Sequence, residues 1–127
     1  IMDQALDILP GRKIIFTNAT KHYAYNIIKC LGIARHIEDI FDIVDANYIP
    51  KPVPEVYSQF IKKFNVDPSS AVMVEDMAKN LVPPANMGMK TVWVKTDRPW
   101  AQNSTQAITP DYTTTNLSQW LAEIADL

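Results

Sequence analysis

The sequence predicts an α/β fold: a three-layer, Rossmann-like arrangement with a parallel β-sheet between helices on both faces. Short apolar runs alternate along the 127 residues with segments of helical period. A continuously apolar strand is typical of a sheet buried on both faces, and helices between such strands provide the crossovers that parallel strands need. Hydrophobic residues make up 47% of the chain and charged residues 20%, so we expect one hydrophobic core and a single domain over residues 1–127.

The elements follow from these periods in chain order. Four apolar runs predict strands, at residues 13–16, 42–45, 71–74 and 91–94. Apolar residues at helical spacing predict three longer helices: one that ends at Gly32, one that begins at Pro54 and one that Asn116 caps. We expect shorter helical stretches at residues 34–41 and 83–88, and a polar surface loop over residues 95–110.

Polar residues follow three of the predicted strands. Thr17 and Asn18 follow the first strand, Lys51 follows the second, and Glu75 and Asp76 follow the third. Binding groups of parallel sheets gather at the carboxyl ends of the strands. We therefore expect these side chains from three segments to converge.

A hydroxyl, a lysine and two carboxylates suit phosphoryl transfer. The transferring group spreads negative charge over three oxygens, so hydrogen-bond donors and cations must surround it. Thr17 and the backbone around Asn18 would donate to these oxygens, and Lys51 would neutralise charge. Asp76 is a hard oxygen ligand suited to Mg²⁺, with Glu75 beside it.

Each residue alone also has an ordinary structural explanation. A threonine at a strand end is a common turn residue, a lysine between prolines is usually solvated, and an acidic pair before a helix often complements the helix dipole. Asn80 alone would be a helix cap, and we predict that it supports the loop after Asp76. The order and placement of these residues together indicate a shared site.

Three segments carry a resemblance to a known family. LPGRKIIFTNAT, LGIARHIEDIFDIVDANYIPKPVPEVY and VMVEDMAKNLVPPANMGMKTVWV resemble, in this order, the second, third and fourth motifs of the haloacid dehalogenase (HAD) superfamily, and within it the bacterial pyrimidine 5′-nucleotidase-like branch. The resemblance implies Mg²⁺-dependent hydrolysis of a phosphomonoester or nucleotide. Thr17 would bind the phosphoryl group, Lys51 would be the motif lysine, Asp76 a Mg²⁺ ligand and Glu75 an accessory acid.

The first motif of the family, D-x-D-x-T, occurs nowhere among these residues. In the family it supplies the aspartate nucleophile and a second aspartate that acts as general acid and base. Residues 1–12 instead resemble the end of the helical cap. The resemblance therefore implies a HAD-like core without its central strand and most of its cap, with weak Mg²⁺ binding and very low or no activity as this chain.

The missing strand would lie between the strands that end at Thr17 and Asp76. Unpaired backbone groups in an interior are costly, so we expect those strands either to pair directly or to be completed by another copy, in a homodimer or larger assembly. An alternative function is a non-catalytic module that retains the fold for binding or self-assembly. A receiver-type signalling domain has similar residue types, but in an order that this chain does not match.

Composition excludes several other classes. A net charge of −2 without a basic run argues against nucleic-acid binding, and no apolar stretch approaches the roughly 18 residues that span a bilayer. P-loop and dinucleotide-binding motifs do not occur. The single cysteine, Cys30, has apolar neighbours and is expected in the core, which suits a protein of the reducing cytoplasm.

Overall fold

A computed structural model describes residues 1–98 and 108–127. The described helices are α1 (Met2–Ile8), α2 (Lys21–Cys30), α3 (Pro54–Phe64), α4 (Val82–Asn86) and α5 (Leu117–Ile124). The described strands are β1 (Ile14–Phe16), β2 (Asp39–Phe41), β3 (Val72–Glu75), β4 (Lys90–Val94) and β5 (Tyr112–Thr114). Short 3₁₀ helices lie at Ala34–His36, Pro68–Ser70 and Ala78–Leu81.

The chain divides into two compact units. The first comprises residues 1–50 and 117–127, and the second comprises residues 51–116. The first contains the parallel pair β1–β2, and the second contains the parallel sheet β3–β4–β5. The predicted α/β class with parallel strands is thus confirmed, whereas one domain over residues 1–127 stays a prediction.

Helix α2 organises the core of the first unit. Thr20 caps it, because its Oγ1 accepts a hydrogen bond from the Tyr23 backbone N–H at 3.3 Å. Ala24 and Ile28 on its inner face pack with Ile33 and Ile40. Cys30 lies outside this face and is exposed, so its predicted place in the core is wrong.

The second strand was expected at residues 42–45, and this prediction is wrong. Strand β2 ends at Phe41, and residues 43–48 form a turn. The Asp42 N–H donates to Asp45 Oδ2 at 3.0 Å, and the Asp45 N–H donates to Asp42 Oδ1 at 2.9 Å. These side-chain hydrogen bonds offer the backbone an alternative to strand pairing. The predicted helical stretch at residues 34–41 likewise shortens to Ala34–His36.

The second unit follows its sequence pattern more closely. Pro54 begins α3, which buries Val56, Tyr57, Phe60 and Phe64, and Asn65 ends it with a left-handed φ of 52°. Strand β5 was not predicted. The Asp111 carboxylate anchors the chain just before it by accepting from the Thr91 backbone N–H at 2.8 Å.

Two strands are paired on one side only in the described part of the chain. Strand β1 bonds to β2 alone, and β3 bonds to β4 alone. Direct pairing of β1 with β3, one of the two expected arrangements, stays a prediction. On β3, Val72 is 57% exposed and Val74 is 39% exposed, and the side chains of β1 are only half-buried. The expectation that these two runs are buried on both faces is wrong.

Candidate active site

A buried ion pair forms the centre of the candidate site in the second unit. Lys51 Nζ lies 2.8 Å from Glu75 Oε2, and the two side chains are 7% and 10% exposed. Lys51 lies in the turn before α3, and Glu75 is the last residue of β3. Burial alone would raise the pKa of Glu75, but the charge of Lys51 and hydrogen bonds from the following residues outweigh it and lower that pKa. Glu75 is therefore an ionised partner of Lys51.

Glu75 also orders the segment that follows it. We call residues 76–81 the acidic loop. Glu75 Oε1 accepts from the backbone N–H groups of Asp76 at 3.1 Å and Met77 at 3.2 Å. One carboxylate thus holds Lys51 with one oxygen and the start of the acidic loop with the other. Its predicted role as an accessory acid stays a prediction.

The Asp76 side chain is half-buried at the start of the acidic loop. Its carboxyl interacts with that of Glu75, and this contact, followed by burial, raises the pKa of Asp76 above its ordinary value. Two neighbouring carboxyl groups resist carrying two negative charges at once. A cation bound to Asp76 would relieve this repulsion.

Two aromatic side chains hold the backbone of the acidic loop. Trp93 Nε1 donates to the Asp76 carbonyl oxygen at 2.9 Å, and the Tyr57 hydroxyl donates to the Asn80 carbonyl oxygen at 2.7 Å. Burial, followed by the charge of Glu75, raises the pKa of Tyr57, which keeps its hydroxyl protonated as a donor. Sequence reasoning missed both contacts. The available signal was that buried tyrosine and tryptophan usually find a hydrogen-bond partner.

Asn80 lies near the end of the acidic loop, and its predicted supporting role stays a prediction. Its side chain is 3% exposed, and within residues 1–98 and 108–127 its Oδ1 has no hydrogen-bond partner. Its backbone carbonyl, not its side chain, forms the contact with Tyr57. A buried acceptor without a partner is uncommon in folded proteins.

Thr17 and Asn18 lie in the first unit, after β1. The Thr17 N–H donates to the Phe41 carbonyl oxygen at 3.0 Å, and Thr17 Oγ1 accepts from the Ala19 N–H at 3.0 Å. Asn18 is exposed. The structure thus brings Lys51, Glu75 and Asp76 together, and the convergence of Thr17 and Asn18 with them stays a prediction.

The described residues offer a limited set of metal ligands. No group of three or more His, Cys, Asp or Glu side chains in the described ranges could hold a metal ion. Mg²⁺ usually keeps several waters and takes one or two carboxylates together with phosphate oxygens. Asp76 fits one such position, because Glu75 is already engaged with Lys51 and the loop backbone. The residues present therefore fit a largely hydrated Mg²⁺ held by one carboxylate.

The second unit also has a cavity of about 410 Å³. Its walls are mostly apolar and come from the segment at the start of α3, from the acidic loop and from the region of α4; they are Pro52, Pro54, Ser58, Lys79, Val82, Pro83, Asn86 and Met87. None of the predicted site residues lines it.

In the described part of the chain, no helix is both long enough and apolar enough to cross a membrane.

Comparison with known proteins decides the family. A family model of haloacid dehalogenase-like hydrolases matches residues 2–88, which is more than half of the chain and includes Lys51, Glu75 and Asp76. The chain belongs to the haloacid dehalogenase-like hydrolase family. The superfamily that the motifs indicated is thereby confirmed.

Relatives of this HAD-like chain include phosphatases. A glyceraldehyde 3-phosphate phosphatase of Pyrococcus furiosus is 38% identical over 63 residues, which cover 46% of this chain and 26% of the relative. The crystal structure of a HAD phosphatase from Thermococcus onnurineus matches with a TM-score of 0.71 and 25% identity, over 95% of this chain and 54% of that one. A HAD-hydrolase of Bacillus subtilis bound to magnesium matches with a TM-score of 0.73 and 18% identity, over 98% and 54%. The chain thus spans about a quarter of the curated relative and about half of each solved structure.

Proposed function

We propose that this HAD-like chain takes part in the hydrolysis of a phosphomonoester. In this proposal Lys51 neutralises the phosphoryl group, and Asp76 holds Mg²⁺. The observation that carries the proposal is the buried Lys51–Glu75 ion pair directly before Asp76. A lysine whose position is set by a buried carboxylate supplies a fixed positive charge, and preorganised charge is the main requirement for phosphoryl transfer.

Several further roles belong to the same proposal. Thr17 and the backbone around Asn18 would donate hydrogen bonds to the phosphoryl oxygens, and Glu75 would remain an accessory acid that positions Lys51. When bound, Mg²⁺ would balance the negative charge shared by the phosphoryl oxygens and Asp76. The phosphatase names of two relatives support the phosphomonoester proposal, and the magnesium bound to a third supports the proposed metal.

The substrate class is a finer proposal. The motif resemblance favours a pyrimidine 5′-nucleotide, whereas the P. furiosus relative is named for glyceraldehyde 3-phosphate. Both compounds present a phosphomonoester dianion to Lys51 and Mg²⁺ and differ only in the remainder of the molecule. The groups that contact this remainder decide between them.

The nucleophile is a separate matter, because D-x-D-x-T does not occur among the 127 residues. We propose that a carboxylate from outside them, in a further segment of the protein or in a different protein chain, attacks phosphorus and displaces the alcohol oxygen of the substrate, which leaves with a proton. By itself the 127-residue chain is expected to hydrolyse phosphomonoesters very slowly or not at all, an expectation that the relatives do not support. They do not favour the alternative of a non-catalytic module either, which predicts no affinity for phosphate or metal.

Binding of inorganic phosphate tests the proposal without requiring turnover. Titration of the chain with phosphate, followed by ³¹P NMR, should show binding that depends on Mg²⁺ and is lost in Lys51→Met combined with Glu75→Gln. This double substitution removes both charges, so it leaves no buried carboxylate without a partner. Lys62→Met, on the exposed side of α3, is the matched control. No phosphate binding by the unsubstituted chain would contradict the proposal.

Competition then distinguishes the substrate classes. Uridine 5′-monophosphate should displace phosphate at lower concentration than glyceraldehyde 3-phosphate if the nucleotidase-like assignment is right. The reverse order would favour a triose phosphate and would overturn the nucleotide proposal while leaving the phosphomonoester proposal in place.

A further inference from the structure

We propose that Trp93 and Tyr57 are positioning residues that fix the acidic loop so that Asp76 is ready to bind a divalent cation. The inference rests on the proposed function, which makes Asp76 a metal ligand. Neither aromatic residue would contact the metal or the substrate. Each acts through a hydrogen bond to the loop backbone, one at each end of the segment from Asp76 to Asn80.

Trp93 holds the beginning of the loop. It lies on β4 directly opposite Glu75 in the strand register, and its Nε1–H reaches the Asp76 carbonyl oxygen at 2.9 Å. Trp93 is 8% exposed and packs against Ala78 and Leu81 of the same loop. The indole therefore packs against the loop and donates a hydrogen bond to the residue that carries the proposed metal carboxylate.

Tyr57 holds the end of the loop. Its side chain is 1% exposed, and its hydroxyl reaches the Asn80 carbonyl oxygen at 2.7 Å. The neighbouring Oδ1 of Asn80 has no partner among the described residues, so the Asn80 side-chain oxygen adds no second tether there. Removal of the tyrosine hydroxyl would leave a buried carbonyl without its donor.

Glu75 bonds the other polar group of the Asp76 backbone. Its Oε1 accepts from the Asp76 N–H, while Trp93 donates to the Asp76 carbonyl. The peptide groups on both sides of Asp76 are thus fixed. A ligand held in place before the metal arrives avoids the entropic cost of ordering on binding, and loss of this order weakens affinity.

A titration with Mn²⁺, used as a paramagnetic probe for the Mg²⁺ position, tests the inference. The dissociation constant from water-proton relaxation should rise about three- to tenfold in Trp93→Phe and in Tyr57→Phe, because each loses one hydrogen bond of ordinary strength. Trp120→Phe and Tyr25→Phe, in the first unit, are the matched controls and should stay within about twofold. Asp76→Asn should abolish the binding.

The outcomes separate this inference from the proposed function. If the unsubstituted chain does not bind Mn²⁺, the metal role of Asp76 fails, and the inference fails with it. If the unsubstituted chain binds Mn²⁺ and both aromatic variants bind equally well, the inference is overturned while the metal role stands. A lower thermal midpoint with an unchanged dissociation constant would show that the two residues are merely structural, which also overturns it.

A measurement on the unsubstituted chain covers the case in which a variant does not fold. The indole N–H resonance of Trp93, assigned by selective ¹⁵N-tryptophan labelling, should exchange slowly with solvent because it is buried and hydrogen-bonded. Sub-stoichiometric Mn²⁺ should broaden this resonance in the unsubstituted chain and leave it sharp in Asp76→Asn. Exchange at the rate of a free indole, or the same broadening in Asp76→Asn, would overturn the inference.

Discussion

Replacement of Lys51 by methionine should be among the most destabilising single substitutions in the second unit. Methionine keeps most of the length of the side chain but leaves the Glu75 carboxylate, which is 10% exposed, without its cation. Removal of one partner from a buried ion pair typically costs about 3–5 kcal/mol. Because whole domains are stable by only about 5–15 kcal/mol, a loss of this size should be obvious in a urea titration.

A double-mutant cycle isolates the contribution of the pair. Glu75→Gln alone should also be destabilising, since it removes the negative charge that faces Lys51 and weakens the bonds to the Asp76 and Met77 N–H groups. The combined Lys51→Met and Glu75→Gln substitution should cost less than the sum of the two single changes, with a coupling of about 1–3 kcal/mol. Lys62→Met, an exposed lysine of α3, should change the free energy of unfolding by no more than about 0.5 kcal/mol.

A small change in the free energy of unfolding would refute this reasoning. If Lys51→Met costs less than about 1 kcal/mol, the pair behaves like an exposed salt bridge in water. Lys51 would then be too weakly held to supply a fixed charge, and the structural basis of the proposed phosphoryl site would be lost.

Three further predictions concern the rest of the molecule. Hydrogen bonds to His36, at 2.6 Å, and to Arg35 lower the pKa of the Asp3 carboxylate. These bonds therefore stabilise the folded state fully above the unfolded pKa of about 3.9. Their contribution is lost as the pH falls through the lower folded pKa. The gap in urea midpoint between the unsubstituted chain and Asp3→Asn should therefore stay level from about pH 6 to pH 5 and narrow as the pH falls from about 4.5 to about 2. A gap that stays constant down to about pH 2 would contradict this prediction. Asp42→Ala removes the carboxylate that accepts from the backbone N–H groups of Lys21 and Asp45. It should lower the free energy of unfolding by about 1–3 kcal/mol. A loss within experimental error would argue against Asp42 as an anchor of α2. If copies of the chain associate through β3, Val74→Lys should shift the sedimentation coefficient of the chain towards that of the monomer. Val44→Lys, in an exposed turn, is the control and should not change it. A monomeric unsubstituted chain at micromolar concentration would refute self-association.

The periodic parts of the chain could be predicted from sequence, because burial of one face imposes a repeat. Helix α3 begins at its proline and buries Tyr57 and Phe60 as its period predicts. Strand β2 could not be placed this way. Ile43 and Val44 resemble a strand in composition, but hydrogen bonds between Asp42 and Asp45 turn the chain there.

Whether a strand is exposed depends on the elements that pack beside it, and the periodicity of its own sequence does not specify them. Val72 and Val74 belong to an apolar run typical of a covered strand, yet β3 has a partner on one side only in the described ranges. Strand β5 has a polar sequence, and its pairing to β4 follows from contacts between Thr91 and Asp111. Both cases show that tertiary context overrides local pattern.

The candidate site was predictable in its residue types and less so in its connections. Lys51, Glu75 and Asp76 stand out because polar residues at strand ends are expected to gather. The roles of Trp93 and Tyr57 depend on backbone carbonyl acceptors, which every residue has and no motif marks. A side chain that binds a backbone group therefore leaves little trace in a single sequence.

The most direct test of the account is a crystal structure of the chain with Mg²⁺ and inorganic phosphate. The account predicts Mg²⁺ at about 2.0–2.1 Å from an Asp76 carboxylate oxygen. It also predicts phosphate oxygens within hydrogen-bond distance of Lys51 Nζ and Thr17 Oγ1, with the Lys51–Glu75 contact of 2.8 Å retained. A metal bound away from Asp76, or a phosphate that contacts neither Lys51 nor Thr17, would contradict the claim that these residues form a phosphoryl-transfer site.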